Sequence, residues 1–170
     1  MEKKDQYLIF MLDKRRFAVT LSAVKRISLA VEIVPLPEGP DIVKGVVNVK
    51  GEILPVVDIR KRFGLPEKEI DIRDHFLITQ TKTRKVVMVV DDVEGIESIK
   101  QNKQIEKNNI LPEIKHVKGV IKFDGDIILI HDIDDFLSLE EDKKINTALK
   151  KINRSGEKRK TKKKNVSKST

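Results

Sequence analysis

The chain has 170 residues, of which 36% are charged, and it contains no cysteine. The lack of cysteine excludes a disulfide framework and thiolate chemistry. No apolar run approaches the ~20 residues of a membrane-spanning helix, and no signal-peptide pattern opens the chain, so we expect a soluble, cytoplasmic protein.

The positive net charge of +8 is concentrated at the C-terminal end of the chain. Residues 143–170 hold 12 Lys and Arg with one acid, Glu157, whereas residues 1–142 have a net charge of −3. The basicity therefore belongs to a tail, and the body is mildly acidic. A nucleic-acid-binding function would have to depend on that tail.

The N-terminal region is typical of β-structure. Apolar residues at 7–12 and 17–21 flank the polar break 13–16, which predicts a β-hairpin. Residues 22–26 are compatible with either a short helical turn or an extended chain. Prolines at 35, 37 and 40 then mark a loop.

Residues 43–59 are repeated 74 positions later, at 117–133. A repeat of this length is too long for a solenoid unit and indicates two related small subdomains. What recurs is apolar core and turn residues, with no catalytic group among them. The identical residues are Val43-Lys44-Gly45-Val46 with Val117-Lys118-Gly119-Val120, Gly51 with Gly125, Ile53 with Ile127, and Asp58-Ile59 with Asp132-Ile133.

Each copy predicts a β-hairpin followed by a capped turn. Lys50-Gly51 in the first copy and Asp124-Gly125 in the second supply the hairpin turn, because glycine accepts positive φ. Pro55 cannot donate to a ladder, so its strand should be an edge strand or carry a bulge. Its counterpart Leu129 has no such restriction. Asp58 and Asp132 are suited to N-caps.

Further strands are expected at 76–80, 85–90 and 93–99, and polar residues 100–109 are expected to form a loop or linker. We predict a mainly β fold of two five-stranded SH3-like barrels, intertwined in one domain, 1–142. In this prediction the second barrel contains 76–99 and the second hairpin, and borrows an N-terminal strand. Spacing of apolar residues predicts a C-terminal helix at 143–152. Residues 153–170 are almost devoid of apolar side chains and are expected to be disordered.

The sequence offers little catalytic chemistry. His75, His116 and His131 stand alone, without the neighbours that a metal site needs, and are expected at strand ends or on the surface. Asp132, with Asp134 and Asp135, fits a helix N-terminus better than a cation site. There is no glycine-rich phosphate loop and no nucleophile motif. We therefore expect no catalytic residues, no metal and no cofactor.

The first copy of the repeat and the residues after it hold a series of short motifs: Lys44-Gly45-Val46, Asn48-Val49-Lys50-Gly51, Pro55-Val56, Asp58-Ile59-Arg60 and Phe63-Gly64-Leu65. This series resembles the signature of the CheW family, the chemotaxis coupling proteins. That signature runs Lys-Gly-Val, Asn-x-Arg-Gly, an apolar strand with Pro-Val, Asp-Leu-Arg and Phe-Gly-Leu. The resemblance covers residues 5 to about 140. It implies two five-stranded barrels with a hydrophobic core between them.

The resemblance also implies a function. Such proteins are non-catalytic adaptors that link the cytoplasmic tips of methyl-accepting chemoreceptors to the regulatory domain of the CheA histidine kinase. The chain departs from the family at Lys50, where arginine is usual, and at Lys25-Arg26, where an acid is frequent. We expect partner binding at Val24, Arg26, Lys44, Gly45, Asn48, Lys50 and Gly51.

An alternative function, different in kind from a protein-binding adaptor, is that of a nucleic-acid-binding β-barrel protein that uses the lysine-rich tail. The tail, residues 153–170, is a generic binder of polyanions. It contains no aromatic residue for base stacking. A weak polyanion contact through the tail is compatible with either function.

Overall fold

A computed structural model of the chain describes residues 3–100, 104–106 and 116–167, and the side chains of 3–100 and 116–155. These residues form strands β1 to β11 and helices α1 and α2. The strands are β1 Lys4–Leu12, β2 Arg15–Thr20, β3 Val24–Leu29, β4 Val43–Val49, β5 Glu52–Val57, β6 His75–Gln80, β7 Lys85–Val90, β8 Asp92–Lys100, β9 Gln104–Glu106, β10 Val117–Phe123 and β11 Asp126–His131. The helices are α1 Ile59–Phe63 and α2 Leu139–Ser167, and two 3-10 turns lie at Leu21–Ala23 and Ile133–Asp135.

The strands form two sheets on one plan, with the orders β3-β6-β7-β5-β4 and β8-β1-β2-β11-β10-β9. When the repeated hairpins β4–β5 and β10–β11 are aligned, each of the five strands of the first sheet corresponds to one strand of the second. Strand β9 has no counterpart in the first sheet. The mainly β, two-subdomain prediction is confirmed. The linker prediction for 100–109 is wrong at Lys100, which ends β8, and at 104–106, where β9 adds a sixth strand to the sheet of the second repeat. The remaining linker positions 101–103 and 107–109 lie outside the described residues.

The two subdomains exchange strands. The N-terminal hairpin β1–β2 completes the sheet of the second repeat, with β2 parallel to β11. The second subdomain therefore takes two N-terminal strands, where one was predicted. Contrary to the prediction, β6 and β7 belong to the sheet of the first repeat, where β7 lies parallel to β5. Sequence order alone could not assign the hairpins β1–β2 and β6–β7 to one sheet or the other, since both hairpins have the same apolar pattern.

The sequence repeat is also a repeat of hydrogen bonds. The antiparallel ladder has a register shift between Val43 and Gly45 in the first copy and between Val117 and Gly119 in the second. The amide of Asp58 donates to the carbonyl of Ile42 at 2.7 Å, and that of Asp132 to His116 at 3.0 Å. Both carboxylates cap the following turn, accepting from Arg60 and Asp134, as predicted. The repeated aspartates are therefore architectural.

Pro55 marks a real difference between the copies. Its strand β5 is internal to the sheet, so the prediction of an edge strand is wrong, although the facing strand β4 carries a bulge. The parallel ladder to β7 begins only at Val56. In the second copy the ladder from β11 to β2 begins one position earlier, at Leu129. The missing N–H of proline is accommodated because the ladder starts after it.

Apolar side chains pack into three clusters, one inside each sheet and one between the sheets. Strand β1 contributes to two of them by alternation: Leu8, Phe10 and Leu12 face the central cluster, and Tyr7 and Ile9 face the interior of their own sheet. The two marginal halves therefore share a core.

Helix α2 is longer than expected at both ends. Ser138 and Glu141 form a capping box, in which each side chain accepts from the other's amide, at 3.1 and 2.9 Å. The helix continues to Ser167, so the prediction of disorder is wrong for 153–167, while 168–170 lie outside the described residues. Composition without apolar residues excludes a packed core but not a helix, because Lys, Arg and Glu are good helix formers.

Candidate partner-binding surface

The turn of the β4–β5 hairpin is held by its own residues. Lys50 and Gly51 both have positive φ, 51° and 88°, as a type I′ turn requires. The side-chain oxygen of Asn48 accepts from the amide of Gly51 at 2.7 Å. Lys50 is exposed at the tip. Asn48 therefore orders the turn, and Lys50 is the residue that the turn presents.

Gly45 has a packing role at the bulge of β4. The next residue, Val46, exchanges two backbone hydrogen bonds with Val34, at 2.7 and 3.0 Å, which joins the chain after β3 to the opposite edge strand of the sheet. A Cβ atom at Gly45 would overlap the carbonyl oxygen of Val34 and lie 2.5 Å from the side chain of Ile33. The φ of 156° adds strain for any other residue.

Lys44 faces back into the molecule. Its ammonium lies 3.5 Å from the carboxylate of Asp58 and donates to the carbonyl of Lys68 at 3.4 Å. Asp58 is 3% exposed. The contact connects the hairpin to the cap of α1 and to the loop before β6, so Lys44 contributes to the framework of this surface.

A second ionic cluster lies around α1, which follows β5 at the end of the hairpin away from its turn. The guanidinium of Arg60 donates to both carboxylate oxygens of Asp91, at 2.8 and 2.6 Å, and Lys68 bridges Asp91 and Asp74 at 3.2 and 2.6 Å. Burial alone would raise the pKa of Asp91, but hydrogen bonds from Arg60, the Asp13 amide and Lys68 outweigh it and lower the pKa. The cluster ties α1 to β7 and fixes the base of the site.

The other two predicted residues lie on or near β3. Arg26 is exposed on this strand, which is the opposite edge of the sheet from β4. Val24 is half-buried and packs against the central cluster, as do Leu21, Ala23 and Val43. We call these four partly buried side chains, Leu21, Ala23, Val24 and Val43, the rim.

The structure thus divides the seven predicted residues by role. Gly45, Gly51, Asn48 and Lys44 shape the hairpin and its base, whereas Lys50 and Arg26 present charge to solvent and Val24 presents apolar surface. Sequence reasoning missed an exposed apolar stripe on the β3 edge. Its signal was visible as alternate residues, Ile27, Leu29 and Val31, which are 41%, 59% and 59% exposed.

His131 is the last residue of β11, which agrees with the predicted strand-end position, and it is buried at 5% exposure. Its ring lies against Phe63, Phe17 and Phe136, with centroids 4.3, 5.3 and 6.4 Å away. Burial lowers the pKa of His131 to about 4. It stands where the first copy has Val57, which is also fully buried, and its surroundings are those of a core residue.

Within 3–100 and 116–155, no three His, Cys, Asp or Glu side chains are grouped to hold a metal ion. No helix in the part of the chain described is long and apolar enough to cross a membrane.

Comparison with known proteins identifies the family. The model of the CheW-like domain matches residues 6–141. The chain belongs to the CheW-like domain family. The chemotaxis protein CheW of Thermotoga maritima is 31% identical over 133 residues, covering 78% of this chain and 87% of that protein.

A second relative and a solved structure are also similar to this chain. CheW of Rhizobium meliloti is 28% identical over 138 residues, 80% of this chain and 89% of that protein. The crystal structure of the scaffolding protein TtCheW from Thermoanaerobacter tengcongensis superposes with a TM-score of 0.73 at 23% identity, covering 82% of this chain and 96% of that one. The last comparison shows the shared fold.

Proposed function

We propose that this chain is a chemotaxis scaffold: a non-catalytic adaptor that couples methyl-accepting chemoreceptors to the regulatory domain of the CheA histidine kinase. The observation that carries the proposal is that the family match spans both subdomains, residues 6–141, including the signature hairpin and α1. Relatives over this span are named as chemotaxis proteins. The adaptor would work in the cytoplasm, associated with membrane-bound receptor arrays.

The rim is the apolar surface on which we place a receptor helix. Apolar side chains that are only half-buried remain able to bury area against a partner, and an amphipathic helix supplies a matching apolar face. Val24 and Val43 reach the rim from the two edge strands of the same sheet. In this proposal the helix packs on the rim, while Lys50 and Arg26 contact acidic side chains beside it.

The copies of the repeat support separate partners. The first hairpin carries Asn48, Lys50 and Pro55 where the second carries Lys122, Asp124 and Leu129. The glycines and capping aspartates are shared. Asn48 and Lys50, like Lys122 and Asp124, are exposed at or beside the hairpin turns, whereas Pro55 is buried within β5. We infer that the first copy faces the receptor and the second faces the kinase or a neighbouring adaptor.

The test is the charge reversal Lys50→Glu in a co-sedimentation assay with receptor arrays. Lys50 is exposed, so the variant should fold normally, and we expect receptor binding to weaken about tenfold, which corresponds to ~1.4 kcal/mol. The matched control is Lys122→Glu, which makes the same charge change on the exposed second hairpin and should leave receptor binding unchanged. Equal binding by the wild-type chain and the Lys50→Glu variant would show that the first hairpin is not the receptor site.

A further inference from the structure

The distal part of α2 carries a charge that the adaptor proposal does not use. Seven basic residues lie between positions 154 and 164, with Glu157 as the one acid among them. Residues 1–142 have the opposite sign, with a net charge of −3. This segment is therefore electrostatically distinct from the body. The basic residues are Arg154, Lys158, Arg159, Lys160, Lys162, Lys163 and Lys164.

The proximal part of α2 is the part that docks on the body. Glu141 pairs with Arg62 at 2.6 Å and Asp142 with Arg84 at 2.5 Å. Ile145 and Ala148 are buried, at 0% and 2% exposure. These contacts anchor the acidic first turns of α2 to the body. The seven basic residues of the distal part lie on later turns.

Beyond that anchor the helix is long. Lys151 forms an ion pair with Glu38, and the helix continues from there to Ser167. At ~1.5 Å per residue this is about 24 Å of helix. The seven basic positions therefore lie at regular intervals along the axis of one helix.

Composition decides which polyanion suits this segment. Between 153 and 167 the one apolar side chain in the sequence is Val166, so there is no apolar face for insertion into a lipid interface. There is no aromatic residue for stacking on single-stranded bases. At 3.6 residues per turn the seven basic positions are distributed around the whole helix, which suits phosphates on both sides of a groove. The duplex major groove, ~12 Å wide, admits a helix.

We propose that residues 153–167 of α2 form a sequence-independent binding element for the phosphate backbone of double-stranded nucleic acid. This activity is separate from the adaptor role and does not rest on it. Each neutralised phosphate releases counterions, so binding depends steeply on salt. With four to seven phosphates contacted, affinity should fall about 10²- to 10⁴-fold between about 50 and 200 mM salt.

The experiment uses the full chain and a fluorescently labelled duplex of about 20 base pairs, read by anisotropy at both salt concentrations. A variant with Lys158, Arg159, Lys160 and Lys162 changed to Glu should lose at least about 100-fold in affinity at low salt. The matched control places the same change in net charge on the body, at the exposed residues Lys4, Lys14, Lys25 and Lys118. This control should keep affinity within about tenfold, since distant charges are screened.

A parallel measurement replaces the duplex with vesicles containing about 30% anionic lipid. Binding to the duplex that is steep in salt and lost only in the helix variant supports the proposal. Three results would overturn it: no duplex binding at low salt, equal losses in the helix variant and the body control, or tighter binding to vesicles than to duplex. Circular dichroism of each variant confirms that its fold is retained.

Discussion

His131 should make the stability of this protein depend on pH. The ring is 5% exposed among three phenylalanines, and within the residues described neither ring nitrogen meets hydrogen-bond geometry with a partner. Burial lowers its pKa from 6.5 to about 4, and the backbone of His116 offsets only part of that effect. Charging this imidazole would bury an unpaired cation, so the folded state holds the neutral form.

The sign and size of the effect follow from linkage. The unfolded chain binds the proton near the ordinary pKa of 6.5, while the folded chain binds it near about 4. Stability is therefore full above the unfolded pKa and is lost as pH falls from 6.5 towards 4. A shift of this size corresponds to about 3 kcal/mol in total, of which about 2 kcal/mol should be lost by about pH 5.

The assay is urea unfolding of the wild-type chain and the His131→Leu variant at about pH 8 and pH 5. Leucine has a similar volume and does not titrate, so the variant should lose about 2 kcal/mol less than wild type over this range. Carboxylates such as Asp91 and Glu141, whose pKa values are lowered, titrate in both proteins and cancel in the comparison. An identical pH dependence in both proteins would refute the assignment of a buried, neutral histidine.

Two further predictions concern the base of the candidate site. Gly45→Ala should lower the free energy of unfolding by several kcal/mol more than Gly51→Ala, because only the alanine at 45 would clash with backbone atoms. Gly51→Ala should cost ~1–2 kcal/mol, the strain of a left-handed backbone conformation. Similar midpoints in urea for the two variants would contradict the close approach at Gly45. Arg60→Ala removes the partner of Asp91 and should cost about 2–3 kcal/mol, below the usual range for buried pairs because Asp91 is partly exposed. The exposed pair of Arg73 with Asp71 provides the comparison: Arg73→Ala should cost clearly less than Arg60→Ala, and an equal cost at both positions would show that the Arg60 cluster adds nothing.

The repeated hairpins could be predicted because their structure is encoded locally. Lys50-Gly51 and Asp124-Gly125 need positive φ at adjacent residues, and glycine at the second position signals this directly. Asp58 and Asp132 follow apolar strands where a cap is needed, and both cap. Such features depend on residues close in sequence, which a single chain displays.

What the sequence could not provide was the partner of each strand and the direction of each side chain. The exchange of β1–β2 and β6–β7 between sheets depends on packing across the central cluster. Asn48 and Lys44 have side chains suited to binding, yet they hydrogen-bond within the hairpin and its base. The Ser138-x-x-Glu141 capping box, however, was visible in the sequence and marks the true start of α2.

The proposed adaptor must join a receptor to a kinase. This is measured by co-sedimentation of the isolated regulatory domain of a CheA kinase with receptor arrays, with and without this chain. We expect the domain to enter the pellet only when the chain is added, and a chain truncated after residue 152 to act equally well. If the domain stays in the supernatant while the chain itself sediments, the chain binds receptors without coupling them, and the adaptor account is wrong.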